Sequence, residues 1–342
     1  MRLESVLRRR LIVLAAAFGW RAVPAQTGRA AAPASPVPLR FGVLPIGGAV
    51  ESRDKWAPVL ADMSRALGRP VAALSVTSYE SLEQAIQRNE VDIALLSAKM
   101  ALDAVSRRGM SVLAQVKRHA GEPEHRAILL VRKAGPLDSL DALLARPEQW
   151  RLARGDSRSV SGFILPQVQL FLPHRIEMET RFRGEIIGTH QLTALAVANG
   201  DADVATNNTT DFERFRQQFP LEADRLQVIW RSAPTPPAQI VVRQGVPHAV
   251  QKKAQLFLVQ YGQGTGPRAD GEREALKSLR AGLGYVAANN EALLPAALLE
   301  YQLARQSALN ARWVNEAARE ARLQRVESQY AEQVAALRNS TR

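Results

Sequence analysis

The stretch Gly155-Asp156-Ser157-Arg158-Ser159-Val160-Ser161-Gly162-Phe163 lies between a short strand-like run near residues 151–153 and an apolar-periodic segment over residues 164–172. A strand that feeds through a polar turn into a helix is the repeating unit of an α/β fold. The turn also carries chemistry of its own. Two serine hydroxyls and the unpaired backbone N–H groups at the positive end of a helix make a seat suited to a small phosphorus-type oxyanion.

The same alternation extends in both directions. Upstream, strand-like runs at 39–44, 71–76, 91–96, 112–116 and 128–132 alternate with helical patterns at 54–67 and 78–88. In the first of these helices Trp56, Leu60, Met63 and Leu67 share one face. Downstream come a helix over 190–199, a strand over 202–205, a helix over 210–218 and a strand over 226–230, and the run 238–242 returns the chain to the first sheet. The pattern predicts two α/β lobes with largely parallel sheets: lobe 1 from residues 39–134 and 236–290, lobe 2 from 135–235. Two crossings, near 132–136 and 233–238, leave a cleft between them, the place where such folds take ligands.

Residues 291–342 form a C-terminal helical segment rich in Ala, Arg, Glu and Gln. There Leu323, Val326, Tyr330, Val334 and Leu337 recur at spacings of three and four. That stripe fits packing against its own lobe and a homodimer through the C-terminal helix equally well.

Bulk properties exclude several classes. The 342 residues are 46% hydrophobic and 23% charged, the balance of an ordinary globular chain rather than a disordered one. There is no cysteine, which rules out disulfides and thiolate metal sites. Arg8-Arg9-Arg10, the apolar run 11–20 and Ala22-Val23-Pro24-Ala25 read as a signal peptide over 1–25, cut after Ala25, with a Pro- and Ala-rich linker over 26–38. Export to the periplasm follows. The formal net charge of +12 falls to about +8 without residues 1–25, and the remaining basic residues are interspersed with acids, which argues against nucleic acid as a partner. His119, His125, His174, His190 and His248 show no metal-ligand spacing, and no phosphate loop or nucleophile elbow is present. No cofactor and no enzymatic activity are expected.

Several runs together resemble the periplasmic phosphonate-binding proteins of ABC transporters, of the type II binding-protein fold. They are residues 55–63 (KWAPVLADM), 89–94 (NEVDIA), 159–163 (SVSGF), 195–200 (LAVANG) and 203–209 (DVATNNT), in order and at compatible spacing over roughly 39–283. The last run is the most specific. The resemblance implies a phosphorus oxyanion as ligand and a membrane ABC permease as partner.

It also implies roles residue by residue. Ser159 and Ser161 match the family's Ser-Thr-Ser anion turn, with Val160 in place of the threonine, so one hydroxyl is lost. His190, at a helix start, matches the family histidine facing the anion. Tyr79, after the N-cap Ser78, matches a family tyrosine, though a packing tyrosine fits the position almost as well. His125 stands where the family commonly has a second tyrosine. Two acidic positions that hold the amino group of aminoalkylphosphonates correspond here to Thr210 and Ala238. A buried ammonium without carboxylate partners is costly, so the anion subsite is expected to be kept and the amine subsite lost. An exported anion sensor that reports to a membrane receptor, and an enzyme on the same fold, are the alternatives.

Overall fold

The computed structural model describes residues 37–45, 49–117, 125–279 and 283–339. The signal peptide and all but the last two residues of the linker lie outside the described residues, as do His119 and the Glu122-Pro123-Glu124 run.

The elements follow in order as β1 (Leu39–Val43), α1 (Ala49–Leu67), β2 (Val71–Ser75), α2 (Tyr79–Gln87), β3 (Ile93–Leu96), α3 (Ala98–Arg107), β4 (Met110–Val116), β5 (Arg126–Arg132), α4 (Leu140–Ala145) and β6 (Arg151–Arg154). After the helical stretch 160–174 come α5 (Met178–Arg181), β7 (Gly184–Ile187), α6 (His190–Asn199), β8 (Val204–Asn208), α7 (Thr209–Gln218), α8 (Pro220–Ala223), β9 (Leu226–Pro234) and β10 (Gln239–Arg243). The chain ends with α9 (His248–Gln260), α10 (Pro267–Ser278), β11 (Tyr285–Ala287), α11 (Leu294–Asn310) and α12 (Glu316–Asn339).

Two sheets result. The first has strand order β11-β4-β10-β3-β1-β2 and the second β7-β6-β8-β5-β9. Each keeps a parallel trio, β2-β1-β3 and β7-β6-β8, but β10, β11, β5 and β9 pair antiparallel with their neighbours. The sheets are therefore mixed rather than largely parallel.

The expectation for 128–132 is corrected as well. That strand pairs Ala127 with Asn208 and Leu129 with Trp230, inside the second sheet and not the first. Ile128 to Val131 are all buried, an apolar run covered on both faces, and such a run carries no signal of which sheet it enters. The chain thus passes from the first sheet to the second between β4 and β5, and returns between β9 and β10.

One ionic device recurs in both sheets. Asp92, just before β3, accepts from the backbone N of Arg40 at 2.9 Å and from its Nε at 3.3 Å, while Arg243 Nη2 reaches the other oxygen at 2.6 Å. Asp203, just before β8, accepts from Arg151 N at 2.8 Å and Nε at 3.1 Å. In each case the arginine also reaches a carbonyl three residues before the aspartate, that of Asn89 or Gly200, both in left-handed backbone conformation. These aspartates clasp the first strand of a parallel pair to the second. Burial works to raise both carboxyls, but the arginine hydrogen bonds outweigh it and hold them below the ordinary carboxylate range.

The expected face of α1 is buried, with Trp56 and Leu60 each 3% exposed and Met63 fully covered, against Phe257 and Leu258 of α9. At the C-terminus, α11 and α12 pack on one another, and Tyr301 stacks on Tyr330 with ring centroids 4.7 Å apart. Val326 and Leu337 are buried, so the stripe of the last helix faces the protein's own body. Lys99 Nζ donates to Glu300 Oε1 at 2.6 Å and Asn310 Nδ2 donates to the Leu172 carbonyl at 2.8 Å, tying α11 to elements attached to both sheets.

Candidate functional site

The turn after β6 is built around two glycines. A Cβ on Gly155 would lie 2.8 Å from the Cα of Gly162, and one on Gly162 would also meet Ser159 Oγ at 2.9 Å and His190 Cε1 at 3.2 Å. Only glycine permits this approach. Gly155 N donates to the Gly162 carbonyl at 3.1 Å, and Thr206 Oγ1, from β8, donates to the same carbonyl at 2.7 Å. The helix start is thereby fixed to the ends of β6 and β8.

Ser159 is the N-cap, its Oγ accepting from Gly162 N at 3.0 Å, while its carbonyl accepts the amides of Phe163 and Ile164 at 3.1 Å each. The amides of Val160 and Ser161 are those that an incoming acceptor meets at the positive end. The helix that follows is not the regular one expected over 164–172: residues 160–164 and 167–171 form widened i→i+5 turns, a distortion common at functional sites. Val160 sends its side chain into the hydrophobic core, which leaves only its backbone at the turn.

Ser161 Oγ lies 3.1 Å from His190 Nε2 and accepts from Asn208 Nδ2 at 3.3 Å. His190 opens α6, capped by Thr189 Oγ1, and its carbonyl accepts from Asn207 Nδ2 at 2.7 Å and Thr193 Oγ1 at 3.2 Å. Tyr79 comes from the other sheet's side: it opens α2 behind a Ser78–Ser81 capping box, and the Ser159 side chain lies near its hydroxyl, where it works against the rise of its pKa. Burial pushes its phenol up to about 12, with Asp211 and Asp156 adding to the rise, so Tyr79 is a neutral donor at physiological pH.

The predicted residues therefore gather in two groups. Tyr79, Ser159, Ser161 and His190 surround one helix start. His125 and Thr210 form a second, with His125 Nδ1 2.8 Å from Thr210 Oγ1. Ala238 lies on the return crossing, its carbonyl accepting from Val116 N at 3.1 Å, and offers no polar side chain.

The polar strand end Thr206-Asn207-Asn208 is what reading residue types alone left without a role. All three residues are buried, at 0, 0 and 1% exposure, and each holds a piece of the site: the Gly162 carbonyl, the His190 carbonyl and the Ser161 hydroxyl. The signal was in the run 203–209, but the spacing of a strand does not tell which polar side chains will be buried. Among the described residues, no group of three or more His, Asp or Glu side chains is arranged to hold a metal ion, and no helix is long and apolar enough to cross a membrane.

Comparison with known proteins points to one family. Residues 41–293 match the profile of a family described as ABC transporter, phosphonate, periplasmic substrate-binding protein. The phosphonates-binding periplasmic protein of Escherichia coli K12 is 32% identical over 243 residues, covering 71% of this chain and 72% of that one. Among solved structures, the binding protein component of an ABC phosphonate transporter from Pseudomonas aeruginosa superposes with a TM-score of 0.80 at 27% identity, over 89% of this chain and 99% of the other. PhnD1 of Prochlorococcus marinus, solved with methylphosphonate, shares the fold with a TM-score of 0.67 at 16% identity, over 78% and 98%. A βα turn that brings two serine hydroxyls, a histidine and a helix start together, on this two-sheet frame, thus belongs to a member of the periplasmic phosphonate-binding family of ABC transporter substrate-binding proteins.

Proposed function

We propose that this chain captures a phosphonate or related phosphorus oxyanion in the periplasm and hands it to a membrane ABC permease, as a binding protein rather than an enzyme. Residues 1–25 are removed on export. One half is built on the first sheet and the other on the second, and they close by hinge motion about the two crossings. Ser159, Ser161, His190 and the first helix amides hold the oxyanion from the second half, and Tyr79 donates from the first.

The observation that carries this reading is the convergence of Tyr79, Ser159, Ser161 and His190 on one glycine-built helix start. Charge-assisted hydrogen bonds in a closed, dry cleft are the strong ones. At the other end, Thr210 is engaged with His125 and Ala238 has no polar side chain, so a ligand ammonium finds no carboxylate at either position. The protein should bind methylphosphonate or phosphite more tightly than 2-aminoethylphosphonate. Titration calorimetry over these three ligands tests it, and the aminophosphonate binding most tightly would overturn the loss of the amine subsite.

A further inference from the structure

Arg158 stands between the turn of the two serines and the opposite half of the protein, and bonds to both. Its guanidinium Nε donates to Glu83 Oε2 at 2.7 Å, and Glu83 lies on α2, one turn beyond Tyr79. Its carbonyl accepts from Ser97 Oγ, the cap of α3, at 3.3 Å. Both partners precede or follow strands of the first sheet, whereas Arg158 follows β6 of the second.

Within its own turn Arg158 is equally constrained. Its backbone N and its Nη1 both donate to Asp156 Oδ1, at 2.8 and 3.1 Å, and Ser159 N closes the turn on the Asp156 carbonyl at 2.8 Å. Asp156 and Arg158 therefore move with the Ser159 cap or not at all. A second ion pair, Glu51 of α1 with Arg214 of α7, also joins elements of the two sheets.

We propose that Arg158 is a positioning residue of the oxyanion turn and that its ion pair with Glu83 latches the closed cleft, so that an anion seated on Ser159 and Ser161 and closure of the first half stabilise one another. Arg158 does not touch the ligand. This rests on the phosphorus-oxyanion reading above. The Arg158 and Glu83 side chains are 28% and 30% exposed, so opening the cleft lets both recover full hydration and breaking the pair alone is mild. Its effect falls on release, because the pair forms only after the halves meet.

The test is a double-substitution cycle on the full exported chain: Glu83→Gln, Arg158→Gln and both together. Methylphosphonate and phosphite are the probes, with association and release read by stopped flow. Each single substitution should speed release about three- to fivefold, Glu83→Gln should leave association within about twofold, and the double variant should be no faster than either single. Release unchanged in the singles, or effects that multiply in the double, would overturn the latch.

A failure of the ligand reading shows differently, as no binding of either probe by the unsubstituted protein. The latch is then decided without ligand. Since the chain lacks cysteine, Lys277→Cys and Leu221→Cys provide two unique dye sites, one on α10 and one on α8. Energy transfer between them should fall with Glu83→Gln if the pair holds the halves together, and an unchanged signal would overturn the proposal.

Discussion

Ser161 is the residue on which the site turns, because its hydroxyl joins His190 and Asn208 at the helix start. Ser161→Ala should weaken methylphosphonate binding about tenfold or more by calorimetry, the cost of a buried partner left unmatched. Thermal stability should fall as well, because His190 Nε2 and the buried Asn208 Nδ2 lose the same hydroxyl in the free protein. Gly162→Ala is the harsher change: its Cβ meets backbone at 2.8 Å, so the turn must open, and binding should be lost together with about 1–3 kcal/mol of stability in a denaturant titration. Tyr79 supplies a pH test. Its proton is held more tightly in the folded state, up to about 12, than in the unfolded chain at about 10. Its contribution to stability is thus intact below pH 10 and lost as pH rises from there toward 12. In an absorbance titration, the step missing from Tyr79→Phe should be the one near pH 12, and a missing step near 10 would contradict the raised value.

At the scale of elements, the paired aspartate clasps decide how β1 meets β3 and how β6 meets β8. Asp92→Asn should cost about 2 kcal/mol at pH 7, since it weakens charged hydrogen bonds to two arginines that both reach solvent. The wild-type carboxyl has a folded pKa below its unfolded one, so its stabilisation is present above about pH 4 and disappears as pH falls through the folded value. The stability gap between the two proteins, followed by urea unfolding, should therefore close in acid. Such clasps could be suspected from the Asn89-Glu90-Val91-Asp92 and Gly200-Asp201-Ala202-Asp203 runs. The arginines that complete them, Arg40, Arg243 and Arg151, are too far away in sequence to be paired by eye.

For the whole molecule, the C-terminal hairpin is part of the body rather than an appendage. Removing residues 310–342 takes away Val326, Tyr330 and Leu337, which cover the side of α11 that carries Tyr301, and breaks the Asn310 contact to Leu172. That truncation should lower the melting temperature by several degrees, as loss of a few buried apolar side chains does in a domain of this size, whichever partner the protein serves. A melting temperature unchanged on truncation would show that the hairpin packs more loosely. Export has its own check: the mass of the chain recovered from the periplasm should correspond to a start at Gln26.

What the sequence by itself determined is local. Periodicity placed most helices and strands within a few residues, and the run 155–163 announced a polar, hydroxyl-rich turn running into a helix, because caps, turns and amphipathic faces are decided by neighbours along the chain. Tertiary structure alone decided the rest. It put β5 in the second sheet, turned Val160 into the core, and buried Thr206, Asn207 and Asn208 so that each supports the site. It also set Glu83 against Arg158, 75 residues apart. A strand's pattern records which side is covered but not by what, and a hydrogen bond between distant residues leaves no periodic trace, so these choices appear only once the chain has closed on itself.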